Sequence, residues 1–229
     1  MSVTTAGETK FAAAQRVNRS LTAAAEKRFL VWMAQRAPAW VTSDRLTLLG
    51  LSAQVGAGLC YALARSHRGA LLVACLCVAM NWLGDSLDGT LARVRQQQRP
   101  RYGFYVDHMV DIFGSAALMG GVALSGLLHG VTAAALLVSF LLLAGESYLA
   151  TYALGRFQVS QGFFGPTELR ILLITGTLKT VGDPYVRLMG HRLLLFDAGG
   201  VPAAVVMLAM AAAVGIRHTA QLYRQEPLP

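Results

Sequence analysis

Asp85, Asp88, Asp107 and Asp111 stand in the run Asn81–Gly114, and apolar stretches flank that run on both sides. A carboxylate at membrane depth costs roughly 2.5 kcal/mol or more, so such a group usually faces a functional cavity. Asp85 and Asp88 are three residues apart, and Asp107 and Asp111 four apart. Each pair therefore lies on one face of its own helix. Between the pairs, Leu91–Tyr102 holds Arg93, Arg95, Arg99, Arg101, three glutamines and Pro100. That segment reads as a turn, so the two helices form a hairpin with both pairs near the same membrane surface. Four carboxylates can then converge, and so many like charges stay ionised together only with cations present. Oxygen-only ligands select hard divalent ions, Mg²⁺ or Mn²⁺ first. Two such ions form a clamp for phosphoryl displacement.

The neighbours of the aspartates extend this chemistry. Gly89 and Ala92 follow Asp88, and Gly103 opens the second helix. Small residues leave room for a ligand against the backbone. Arg93, at the end of the first helix, can fork onto a phosphate. Carboxylates, an arginine and small residues at one membrane boundary suggest a diphosphate-bearing substrate whose lipid part lies in the bilayer.

The elements that carry these residues follow from hydropathy. The 229 residues are 55% hydrophobic and 14% charged, which fits an integral membrane protein. Six stretches approach the ~20 apolar residues that a spanning helix needs. They are about 46–64, 69–92, 104–127, 130–155, 167–186 and 198–216. The third is weakened by Asp107, His108 and Asp111, and the fifth by Glu168, Arg170, Lys179 and Asp183. Residues 19–37 read as an amphipathic helix in the cytoplasmic interface, with Leu21, Ala25, Phe29, Trp32 and Met33 at helical spacing. Pro38 ends it. The expected fold class is all-α, with six transmembrane helices and an N-terminal interfacial helix. It forms a single domain over 1–229, in which 1–40 is a cytoplasmic segment and about 46–216 the membrane core.

Charge sets the expected orientation. With six spans, 15 Lys/Arg fall on the side of the termini and five (Arg65, Arg68, Lys179, Arg187, Arg192) on the other. Positive residues stay inside, so both termini and the aspartates are expected on the cytoplasmic face. Residues 1–40 have no uninterrupted apolar core, so no cleavable secretion signal is expected. The net charge of +8 serves a membrane surface and needs no nucleic acid. Cys60, Cys75 and Cys77 lie in apolar spans and read as packing residues. Glycines at 56, 58, 114, 120, 121, 176, 199 and 200 let helices approach closely.

The residues quoted so far form one pattern. Asp85, Asp88, Gly89, Ala92 and Arg93, nine further residues, then Gly103, Asp107 and Asp111 match all eight fixed positions of D-x-x-D-G-x-x-A-R…G-x-x-x-D-x-x-x-D. The chain thereby resembles the CDP-alcohol phosphotransferase (phosphatidyltransferase) family. The entry Trp40–Leu51 also looks like that family, with Ser43 and Asp44 where Pro-Asn is common. The resemblance implies phospholipid synthesis: a substituted phosphate passes from a CDP-linked donor to an alcohol, and CMP leaves. It implies two metal ions, Mg²⁺ or Mn²⁺, held by Asp85, Asp88, Asp107 and Asp111. It makes Asp111 also the base, and gives the CDP site to Gly89, Ala92, Arg93 and Gly103. It implies a homodimer as well.

The family divides by which partner carries the lipid. Phosphatidyltransferases use CDP-diacylglycerol and a small alcohol, whereas aminoalcohol phosphotransferases use CDP-choline or CDP-ethanolamine and diacylglycerol. The stretch Glu146–Phe157 is similar to the second branch. Glu146 either faces a cationic headgroup or pairs inside the protein. Arg156 and Arg170 either hold an acceptor phosphate or sit at the interface, Arg170 beside Glu168. His108 does not share the aspartates' face and reads as a packing neighbour. Trp32, Trp40 and Trp82 read as interfacial anchors. Two other readings stand beside the transferase: an intramembrane prenyltransferase, whose aspartate motifs lie further apart, and a divalent-cation transporter.

Overall fold

The structure is a computed structural model. It describes the backbone of residues 15–17, 23–158 and 165–226, and the side chains of 24–155 and 165–226. Residues 1–14 and Leu21, part of the N-terminal expectation, lie outside it, as does the Arg156 side chain.

Seven helices carry the described chain. In order they are α1 (Ala23–Arg36), α2 (Ser43–Leu63), α3 (Ala70–Val94), α4 (Pro100–Leu124), α5 (Gly130–Leu154), α6 (Pro166–Gly182) and α7 (Leu195–Gln225). Two small sheets complete it. Strands β1 (Gln15–Val17) and β2 (Arg156–Gln158) pair in parallel, and β3 (Tyr185–Leu188) and β4 (His191–Leu194) form an antiparallel hairpin. The all-α expectation holds for the body of the chain, and α2 to α7 occupy the six expected stretches. Four of them (α2, α3, α5 and α7) are each long and apolar enough to cross a membrane. α4 is as long as α3 but carries the acidic pair in its first half, and α6 has only 17 residues.

The fifth stretch departs from expectation. Its helix stops at Gly182, with Asp183 as the C-cap and Pro184 behind it, four residues short of 186. Proline disfavours helix at the residue before it. The chain then turns through β3 and β4, joined by Met189 and Gly190, both at positive φ (49° and 83°). Two such residues make the tight hairpin turn that suits twisted strands.

Helix α2 packs against α3 and α4, α3 against α1 and α6, and α5 against α4 and α7. Thr42 caps α2, its hydroxyl accepting from the Arg45 amide at 3.3 Å. Apolar residues cluster at both ends. Leu30, Ala34, Leu46, Leu87 and Leu91 pack at the aspartate end, and Tyr61, Leu71, Val122 and Leu128 at the other. In α1 the buried residues are Leu30 and Ala34, whereas Phe29 and Trp32 are exposed. So α1 docks through Leu30, Met33 and Ala34, of which only Met33 belongs to the expected stripe. Trp40 is also exposed, but Trp82 is not an anchor of the same kind: it stacks on Phe29 and bonds to α1.

The helices meet through glycine. A Cβ on Gly84 of α3 would lie 2.6 Å from the Leu46 carbonyl and 2.7 Å from the Gly50 amide of α2. A Cβ on Gly121 of α4 would collide with the Gly58 backbone. Overpacking of this kind costs about 1–3 kcal/mol. Gly84→Ala should therefore lower the thermal midpoint of the purified protein in detergent. Gly103→Ala, where a Cβ meets nothing within 4 Å, should leave it in place. An unchanged midpoint in Gly84→Ala would refute the close α2–α3 contact.

Candidate active site

The last turns of α3 and the first half of α4 bring the four aspartates to one small cavity. Thr47, Gly50, Asn81, Asp85, Asp88, Asp107, Val110 and Asp111 line it. The helical spacing within each pair and the short turn at 95–99 produce this convergence, as the sequence suggests. The polar side chains around it offer oxygen, apart from the Asn81 amide nitrogen, which is turned to Gly50 and Gln54. That donor set fits a hard divalent ion.

Each carboxylate of the first pair already has protein partners. Asp85 Oδ2 accepts from Arg170 Nη2 at 2.7 Å, with both side chains mostly buried (26% and 16% exposed). Asp88 is buried, and its Oδ2 accepts from the Thr47 hydroxyl at 2.6 Å while Oδ1 accepts from the Gly89 amide. The Ser43 hydroxyl donates to the Asp88 carbonyl at 3.0 Å. Asp107 and Asp111 reach the cavity from α4, and the Asp107 side chain is 43% exposed. Among the described residues, no three His, Cys, Asp or Glu side chains stand in metal-holding geometry.

A buried polar layer supports the cavity from below. Asn81 Nδ2 donates to the Gly50 carbonyl at 3.0 Å and to Gln54 Oε1 at 3.3 Å, and its Oδ1 accepts from Arg170 Nε at 2.9 Å. Arg170 thus joins α6 to Asp85 and Asn81. Glu168 instead closes the start of α6, accepting from the Gly165 amide at 2.9 Å. Arg170 Nη1 is buried and, among the described residues, has no hydrogen-bond partner.

A larger cleft of about 420 Å³ opens beside the cavity, lined by Thr42, Ser43, Asp44, Leu91, Ala92, Gln97, Gln98 and Arg99. Arg99 pairs with Asp44 across it and lies over the Tyr102 ring at 4.1 Å. Arg93 stands at its helix end with Nη2 bonded to the Thr90 hydroxyl at 3.0 Å, above Gly89. Gly103 faces open space. Of the small motif residues, Ala92 lines the cleft.

Other expected residues fall elsewhere. Glu146 pairs with His218 Nδ1 of α7 at 2.6 Å, so its carboxylate serves a partner inside the protein. His108 is buried, with Nδ1 on the Phe104 carbonyl at 2.6 Å, and packs edge-on to Tyr148 at 4.4 Å between centroids. Arg156 lies in β2.

Three contributors escape sequence reasoning. Thr47 is a single hydroxyl in an apolar run. Tyr148 of α5 packs edge-on to His108, the neighbour of Asp107. Glu26 of α1 accepts from Trp82 Nε1 (3.1 Å), Ser86 Oγ (3.1 Å) and Thr167 Oγ1 (3.0 Å). It ties α1 to α3 between the two aspartates and to the start of α6. In the sequence Glu26 lies seven positions into the helix expected over 19–37, where no local signal marks it.

The class of protein follows from this geometry together with the sequence pattern. The pattern that describes CDP-alcohol phosphatidyltransferases matches residues 40–216, and the chain belongs to that family. It is a transferase of phospholipid synthesis that acts on a CDP-alcohol. Its fold is similar to that of phosphatidylinositol phosphate synthase (PgsA1) from Mycobacterium tuberculosis, solved with CDP-DAG bound. The TM-score is 0.52 at 21% identity, over 86% of this chain and 92% of that one. Among curated proteins no match is found.

Glu26→Ala should strip three donors of their acceptor. Losing bonds to a charged group costs about 1–3 kcal/mol. Hydrogen exchange of the α1 amides should then accelerate while α5 and α7 keep their protection. Unchanged exchange in α1 would show that Glu26 does not hold it.

Proposed function

We propose that the chain transfers a phosphatidyl group from CDP-diacylglycerol to a small polar alcohol. The observation that carries the reading is the convergence of all four motif aspartates on one cavity beside a nucleotide-sized cleft. Asp85, Asp88, Asp107 and Asp111 would hold two divalent ions, Mg²⁺ or Mn²⁺. Such ions neutralise the diphosphate and polarise the phosphorus under attack. The cleft between Asp44, Ala92 and Arg99 takes the cytidine end, with Gly89 and Gly103 leaving room for the diphosphate and Arg93 forking onto it.

Asp111 takes the proton of the acceptor hydroxyl. The alcohol oxygen then bonds to the β-phosphorus, the bond from that phosphorus to the bridging oxygen breaks, and CMP leaves with the electron pair. Two observations favour a lipid donor over a CDP-aminoalcohol. Glu146, the acidic residue suited to a cationic headgroup, is engaged by His218. Arg170, bonded to Asp85, keeps a buried nitrogen without a partner among the described residues, a feature that suits an anionic or hydroxyl-rich acceptor. Arg156 remains a candidate for the same acceptor.

The membrane placement belongs to the same reading. All six helices α2 to α7 cross the bilayer as one domain, and the exposed Phe29–Trp32 edge of α1 lies in the cytoplasmic interface. Both termini and the site face the cytoplasm, on the side holding most of the Lys/Arg. A homodimer is part of the proposal.

Purified protein should release CMP from CDP-diacylglycerol only when a divalent ion and an acceptor alcohol are present. CDP-choline with diacylglycerol should give no product. Asp111→Asn should lose about 10²-fold or more in turnover, the range of a lost general base, and still bind CDP-diacylglycerol. Full turnover in Asp111→Asn overturns the base role. Divalent-cation flux without CMP from any donor would return the chain to the transporter reading.

A further inference from the structure

The β3–β4 hairpin joins the end of α6 to the start of α7, at the end of the molecule remote from the aspartates. Its register places two sets of side chains on opposite faces. Tyr185 pairs with Leu194 and Arg187 with Arg192 on one face; Val186 pairs with Leu193 and Leu188 with His191 on the other. The second face is thus apolar but for His191, and Met189 extends it at the tip. The protein does not cover it: Leu188 is 53% exposed, Leu193 40% and Met189 94%. An isolated two-stranded hairpin is marginally stable in water, so an uncovered apolar face calls for an apolar surrounding.

The surroundings indicate which one. Leu178 of α6 and Val201 of α7 are half exposed on the helices that lead into the hairpin, so the apolar surface continues along them. The cations of this end are Arg65, Arg68, Lys179, Arg187 and Arg192, against Asp183 and Asp197 alone. Arg68 reaches the Gly182 carbonyl at 3.4 Å, which places the α2–α3 turn beside the hairpin. On the hairpin itself Arg192 lies over the Tyr185 ring at 4.2 Å and within 3.7 Å of Asp183. Two such cationic ends repel each other, whereas an anionic surface attracts them.

We propose that this hairpin beds its Leu188–Met189–Leu193 face in the bilayer interface and holds Arg187 and Arg192 at the level of anionic lipid phosphates. The occupant is lipid, and the hairpin anchors the α6–α7 connection against the membrane. The inference rests on α6 and α7 crossing the bilayer.

The test places a fluorescent label at Met189→Cys, with a second label at Leu208→Cys on the half-exposed flank of α7 as reference. Labelled wild-type protein sets the background from the native cysteines. Each protein goes into nanodiscs of phosphatidylcholine with or without phosphatidylglycerol. The Met189 label should be quenched by nitroxide lipid and shielded from aqueous iodide. Arg187→Ser with Arg192→Ser should weaken lipid contact, by about fivefold in partition per arginine, and only where phosphatidylglycerol is present. Iodide access at Met189 with lipid quenching at Leu208 overturns the inference and leaves the spanning reading standing. Iodide access at both sites overturns the spanning reading itself. Shielding from iodide and lipid alike, with cross-linking between Met189→Cys copies, would assign the face to a second copy and overturn the lipid proposal.

Discussion

The site depends on one contact that contains no side chain. Gly84 brings the α3 backbone against Leu46 and Gly50 of α2, closer than any Cβ permits. In lipid the hydrophobic effect does not pull helices together, so close packing and interhelical hydrogen bonds do that work. The contact fixes the depth and rotation of α3, and Asp85 is the next residue. One helical turn from Gly84, Asp88 meets Thr47 and Ser43; one turn the other way, Asn81 meets Gly50 and Gln54. The Gly58–Gly121 crossing does the same for α2 and α4 at the far end. Between these two crossings α4 delivers Asp107 and Asp111 to the cavity that α3 opens.

The polar groups gathered there would be costly if left unsatisfied, since each buried group without a partner forfeits its hydration. The chain meets that cost by drawing a partner from almost every neighbouring element. α2 gives Thr47 and Gln54, α6 gives Arg170, and α1 gives Glu26 to the α3 face on which Ser86 sits. Arg95 extends the pattern beyond the cavity: it donates to the carbonyls of Ala37, Pro38 and Val41 and so ties the α1–α2 connection to the end of α3. The polar layer is thereby a positioning device, because moving any one of these helices breaks bonds at the aspartates or at their neighbours on α3.

Local spacing is legible in a sequence, and long-range pairing is not. The i, i+3 and i, i+4 intervals of the aspartates fix their faces without knowledge of the fold, and the arginine-rich turn fixes their convergence. Hydropathy likewise places α2 to α6 within a few residues, whereas α7 runs nine residues past the expected end at 216. The partners are another matter. Thr47 and Asp88 lie 41 positions apart, and Glu26 and Thr167 lie 141 apart. Nothing local marks a threonine or a glutamate for such a role. Gly50 and Gly84 are unmarked for the same reason, since the need for glycine at each comes from the other helix. The β3–β4 hairpin hid because Lys179–Leu194 mixes apolar and charged residues without helical or alternating period. Its sign was the short Met189–Gly190 turn beyond Pro184.

Arg170 shows how the supporting layer and the ligand site share atoms. Its Nε and Nη2 are committed to Asn81 and Asp85, which set the guanidinium plane. A planar fork fixed on one side presents its remaining nitrogen in a defined direction. Nη1 is that nitrogen, buried and without a partner among the described residues. The same side chain therefore neutralises one carboxylate of the first pair and fixes the Asn81 amide beside it. Lysine could supply the charge to Asp85, but its single ammonium lacks the planar fork that holds Asp85 and Asn81 through two separate nitrogens. The identity of residue 170 thus follows from geometry as much as from charge, and the bonds of this arginine tie α6 to the aspartate end of α3.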